Sequence, residues 1–211
     1  MPRIIEKCVY KFSELSESAK EKARAWYRLE DQFDFSAGAV IEDADTIARL
    51  FGLEIDTRQT LLMNGKTRGE TCVYYSGFSS QGDGACFTGR YSYAKGAAKK
   101  VKDYASNDEE LHRIVDGLQA LQKDNFYQLR ARITHSGRYY HARMMDIDVD
   151  RLDEKQIDEI TVNELWQLLI DFGDWIYSQL QKEYDYTQSD EYVDENISAN
   201  EYEFTEEGER T

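Results

Sequence analysis

The chain has 211 residues, 41% of them hydrophobic and 32% charged, which is enough length and apolar content for a folded core and too balanced for disorder. Formal net charge is −15, from 26 basic and 41 acidic side chains, so direct binding of nucleic acid by the whole surface is disfavoured. No apolar run approaches the roughly 20 residues of a membrane span, and the opening Met1–Lys7 lacks the apolar stretch of a signal peptide; no membrane association and a cytoplasmic location are expected.

Alternation over Ile4–Phe12 predicts a first strand. Ala19, Ala23, Trp26 and Tyr27 recur at helical spacing and predict an amphipathic helix from about 17 to 30. A second helix carries Val40, Ala44, Ile47, Ala48 and Phe51 and ends at Gly52, a residue suited to the left-handed position after a helix. Strands are predicted at Leu53–Leu62, Thr71–Phe78 and Ala85–Tyr93, with Asn64-Gly65 as a tight turn. A short basic helix at Ala94–Tyr104 precedes a longer one, Asp108–Lys123, for which Ser106 or Asn107 is the candidate cap. Phe126–Thr134 and Tyr139–Val149 read as a hairpin turning at Ser136-Gly137. Thr161 and Glu164 have the spacing of a capping box for a helix running to about Tyr184, and Ser189 is placed to cap a last helix, Asp190–Ala199. The expected class is α+β, with five or six strands in a mostly antiparallel sheet and five or six helices. Residues 1–200 are expected to form one domain with an acidic helical part over about 150–200, followed by a frayed acidic tail at 201–211.

Three odd-spaced cysteines, Cys8, Cys72 and Cys86, give neither a disulfide framework nor a zinc knuckle and read as buried thiols. No Walker, dinucleotide, zincin or serine-elbow motif is present in the sequence, so no catalytic residues, metal or cofactor are expected. A Cys86- or Asp83-centred activity is the weaker alternative, since Cys86 falls within a strand rather than at an electropositive helix end. His135 and His141 flank a turn without metal-ligand spacing, and a third ligand such as His112 would have to come from afar.

Two surfaces stand out as candidate binding sites. The glycine-rich stretch Ser79, Ser80, Gln81, Gly82, Asp83, Gly84 frees backbone amides and, with Arg90, Arg138 and His141, would suit a small ligand or nucleotide; the competing reading is a structural hairpin connection. Arg90, Arg130, Arg132, Arg138 and Arg143 among strand aromatics would also stack bases, but pairing with the chain's own carboxylates is the favoured reading. The second surface is acidic. Residues 146–211 carry four basic and 21 acidic side chains, and Asp190, Glu191, Asp194 and Glu195 on a predicted surface helix are the candidate contacts for a partner with a basic surface.

The opening Val9–Tyr27, the loop Ser76–Phe87 and the ending Ala199–Thr205, about a third of the chain, resemble a family of small proteins of tailed phages and prophages, often labelled antitoxin of a toxin–antitoxin stability system. The resemblance implies a phage accessory protein made in a bacterial host, and carries over no catalytic residues. Joined to the acidic charge, it leads to the expectation of an acidic, DNA-mimic-like inhibitor of a host protein: a nucleic-acid-handling defence factor or, in the antitoxin variant, a toxin. The alternative is a small-ligand or nucleotide-binding protein using Ser79–Gly84.

Overall fold

The computed structural model describes residues 7–30 and 35–211; the Ile4–Glu6 part of the expected first strand lies outside the described residues. In chain order the elements are β1 (Tyr10–Lys11), α1 (Glu17–Glu30), α2 (Ala37–Phe51), β2 (Leu53–Ile55), β3 (Thr57–Leu61), β4 (Thr67–Thr71), β5 (Val73–Tyr75), β6 (Ala85–Phe87), β7 (Gly89–Ser92), α3 (Ala97–Tyr104), α4 (Glu109–Asp124), β8 (Leu129–His135), β9 (Met145–Arg151), α5 (Glu159–Thr187), α6 (Asp190–Ala199) and β10 (Glu203–Phe204), with single 3-10 turns at Phe12–Glu14 and Ala142–Met144. Every strand pair is antiparallel, so the fold is α+β. The chain divides into two units, 1–36 with 182–211, and 37–181; α5 belongs to the second up to Gln181 and to the first from Lys182.

The first unit is built on α1 and α6. Ala19, Ala23 and Tyr27 form the apolar stripe of α1 and bury with Phe12, Leu15, Val193, Ile197 and Phe204. The small alanines allow close approach: a Cβ on Gly208, whose φ is +84°, would sit 2.1 Å from the Ala19 carbonyl oxygen. Ser189 caps α6 as its spacing predicts, accepting the Tyr192 amide at 3.2 Å. Residues 201–211 pack within this unit. Phe204 is fully buried, β10 pairs with β1, and Arg210 stacks over Tyr202, so aromatic burial holds a segment whose charge suggested solvation.

The second unit centres on a four-stranded sheet of order β2-β7-β8-β9. Its inner face carries Leu53, Ile55, Tyr91, Leu129, Ala131, Ile133 and Met145, all buried. Buried Gln122 of α4 mimics a strand backbone: its amide donates to the Leu129 carbonyl at 2.8 Å and accepts the Leu129 N–H at 3.3 Å. Phe172 of α5 meets Phe51 and Phe87 edge-on at 4.9 and 5.8 Å. Gly173 lets α5 approach, because a Cβ there would lie 2.9 Å from the Ala142 Cβ.

Several boundaries differ from expectation. Among the described residues the first strand is only Tyr10–Lys11, and it stops at Phe12, which turns inward into a 3-10 turn. Leu53–Leu62 splits at Asp56, where the Asp56 N–H donates to Thr88 and the Cys72 N–H donates to Asp56, so the chain leaves one sheet for the β3-β4 hairpin. Strand β4, polar on both faces, lacked an apolar signal. The partner of β8 begins at Met145 rather than Tyr139, because Tyr139 and Tyr140 belong to the connection. Asp108, not Ser106 or Asn107, caps α4. Asp158 displaces the Thr161 capping box: its carboxylate accepts both the amide and the hydroxyl of Thr161, at 2.9 and 2.8 Å.

Candidate binding surface

The glycine-rich loop is closed on itself. The Ser79 and Ser80 amides donate to one Asp83 carboxylate oxygen at 3.0 and 2.6 Å, and Ser76 and Gly84 bond across its base. A phosphate would have to displace Asp83 to reach those amides. Gly82 uses its freedom, at φ +109°; Gly84 does not have positive φ but is crowded, since a Cβ would lie 3.0 Å from the His141 Cα and the Tyr140 carbonyl oxygen. Gly77 accepts the Tyr177 hydroxyl at 3.0 Å. The loop and His141 are thus neighbours, as expected, whereas exposed Arg138 has no ion pair among the described residues and Arg90 lies on the sheet, in a concavity that the loop does not line.

The histidines serve locally. His135 bonds the Tyr139 carbonyl and stacks with Tyr74, His112 bonds the Ala105 carbonyl, and the His141 Nδ1 accepts the Arg143 amide. Among the described residues no three His, Cys, Asp or Glu side chains gather as a metal site. Cys86 is fully buried, and burial pushes its thiol up to about 12, far from the thiolate a nucleophile needs.

The acidic helix α6 is partly consumed. Arg24, one-tenth exposed, donates to both oxygens of Asp194 at 2.6 and 2.7 Å, and Arg28 pairs with Asp190. These contacts hold the Asp190 carboxyl below its usual range, chiefly through the Arg28 hydrogen bond, and raise Arg24 further, chiefly through Asp194. Of the four expected partner contacts only Glu191 and Glu195 remain exposed and unpaired among the described residues.

The outer face of the four-stranded sheet was not singled out as a unit by sequence, yet it is the most patterned surface. Alternation along each strand turns Glu54, Arg90, Ser92, Arg130, Arg132, Thr134, Asp146, Asp148 and Asp150 outward, and all are exposed. Register sets Glu54 opposite Arg90, Arg90 opposite Arg132, and Arg132 opposite Asp148. The next rung satisfies itself: Arg130 is bonded to Asp150, whose carboxyl it holds low. Arg90 and Arg132 have no carboxylate within 4 Å among the described residues. Like charges directly opposed across strands are unfavourable, by about 1 kcal/mol in water and more as the surface is covered. This rung floors a cavity of about 400 Å³ lined by Glu54, Arg90, Arg130, Arg132, Asp148 and Asp150 together with Ser92. The legible signal was the strand alternation Leu129/Arg130/Ala131/Arg132; the pairing of Arg132 with Arg90 needed the register, which sequence does not give.

Residues 37–190 match the family described as a domain of unknown function, DUF8835, and the chain belongs to that family. The match opens at Ala37, where the second unit opens, and therefore takes in the whole four-stranded sheet. No curated protein and no solved structure matches the chain significantly. No helix among the described residues is long and apolar enough to cross a membrane.

Proposed function

We propose that the protein is a stoichiometric binding protein that blocks a host protein, with the outer face of the β2-β7-β8-β9 sheet as its contact surface. The observation that carries this reading is the Arg90–Arg132 pair, two exposed arginines directly opposed across strands with no carboxylate within 4 Å among the described residues, on a face otherwise rimmed by Glu54, Asp146, Asp148 and Asp150. A free protein gains nothing from that opposition, whereas a partner that supplies an anion to the pair and cations to the rim relieves it. The net charge of −15 favours a target with a basic surface. Phage origin, the bacterial cytoplasm and a defence factor or toxin as target come from the resemblance of Val9–Tyr27, Ser76–Phe87 and Ala199–Thr205. Commitment of Asp83 to its own loop and burial of Cys86 support binding rather than catalysis.

Affinity capture from host lysate, with the wild type and an Arg90→Ala/Arg132→Ala variant compared at low and moderate salt, tests the proposal. The expected result is a protein retained by the wild type alone, less so at moderate salt, and inhibited at a fixed molar ratio when purified. Retention by the variant, or inhibition by a small fraction of an equivalent, would refute it.

A further inference from the structure

The charged rung has a geometry that selects its ligand. Across the strands it reads minus, plus, plus, minus at Glu54, Arg90, Arg132 and Asp148. With strands about 4.8 Å apart, the two arginines sit about 2.4 Å either side of the centre and the two carboxylates about 7 Å out. An extended segment laid across the strands repeats its side chains on one face every 6.7 Å or so. One acidic side chain at the centre then reaches both guanidiniums, while residues two before and two after it reach Glu54 and Asp148.

The surface is continuous enough for such a segment. The cavity over the rung shares Arg132 and Asp148 with one of about 580 Å³ reaching Trp166, and Glu54 and Ser92 with one of about 600 Å³ reaching Arg49. A polyanion fits poorly, because its next charges would fall on Glu54 and Asp148. A second copy of this chain is repelled by a charge of −15 on each.

The geometry points to a partner protein segment in extended conformation, carrying a basic, an acidic and a basic residue at alternate positions, with its acidic side chain clamped between Arg90 and Arg132. This rests on the sheet face being the contact surface and adds the chemistry of what it contacts.

The test is an NMR titration of the isotope-labelled full chain with short threonine-spaced peptides: lysine–x–glutamate–x–lysine, the same with glutamine at the centre, and one with glutamate at all three positions. The first peptide is expected to shift the Arg90 and Arg132 Nε–H resonances. The glutamine peptide is expected to bind about tenfold or more weakly, the scale of a lost charged hydrogen bond, and the all-glutamate peptide also more weakly than the first. Asp148→Lys should reverse the preference at one flank, favouring a peptide with glutamate there. Equal affinity for the glutamate and glutamine peptides, or shifts centred on Ser79–Gly84, would overturn the inference. Tightest binding by the all-glutamate peptide would overturn it too, making the face a general polyanion site. If the peptides fail but the Arg90→Ala/Arg132→Ala variant still loses the captured protein, the contact surface stands and only this chemistry falls. If that variant keeps the protein, both fall.

Discussion

Arg24 and Asp194, 170 residues apart, form a two-pronged ion pair that ties α1 to α6. Arg24 is 10% exposed and Asp194 33%. Breaking a buried pair costs about 3–5 kcal/mol, and screening at the Asp194 side lowers that to roughly 2–3 kcal/mol. Asp194→Lys is therefore expected to destabilise the first unit, whereas Glu191→Lys and Glu195→Lys should stay within about 0.5 kcal/mol of the wild type. Urea unfolding of the three variants, followed by fluorescence including Trp26 of this unit, makes the comparison. Equal midpoints would show that the ion pair is ornamental.

Phe172 is fully buried between Phe51, Phe87 and Trp175. Phe172→Ala is expected to cost about 3–5 kcal/mol through lost burial and the cavity left behind. A calorimetric transition of the second unit unmoved by this change would mean that α5 does not anchor the core.

What was legible in the sequence follows from periodicity. The stripes Ala19/Ala23/Tyr27 and Ala44/Ile47/Phe51 each gave a helix and its buried face, because burial at 3.6-residue spacing is a local signal. Ser189 and Gly52 gave helix ends for the same local reason. Strand β4, Thr67–Thr71, was illegible because a hairpin exposed on both faces has no apolar alternation. The candidate surface was half legible. Alternation puts Arg130 and Arg132 on one face, but the opposition of Arg132 to Arg90 depends on the pairing of strands 40 residues apart. Arg24 and Asp194 were hidden likewise, as their charges read as solvated until α1 and α6 pack.

Gly84 tests whether the glycine-rich loop is built for space or for conformation. Since its Cβ would press on the backbone at Tyr140 and His141, Gly84→Val should cost about 1–3 kcal/mol through overpacking. Gly82→Ala meets open space at φ +109° and should cost about 1 kcal/mol from strain alone. Thermal midpoints of the two variants decide the order; a larger loss at Gly82 would reverse the assignment.

The thiols offer a check on burial. Cys8 is exposed while Cys72 and Cys86 are buried, so a thiol reagent should titrate one group in the native protein and three after denaturation. Burial raises Cys86 to about 12 in the folded state, above the value of about 8.5 for an unfolded thiol. Its contribution to stability is therefore full below about pH 8.5 and is lost as pH rises from there towards 12. Cys86→Ala should flatten part of that alkaline loss. Rapid native reaction of all three thiols would contradict the buried placement.

The most direct measurement is the calorimetric affinity of the captured partner for the wild type and for the Arg90→Ala/Arg132→Ala variant. Two charge-assisted contacts at about 1.5–3 kcal/mol each correspond to a loss of about a hundredfold or more. Such a loss, with the thermal midpoint of the variant no lower than that of the wild type, is the expected result. An affinity changed less than about threefold, at or below the median value of an ordinary exposed ion pair, would show that the partner does not touch the Arg90–Arg132 rung.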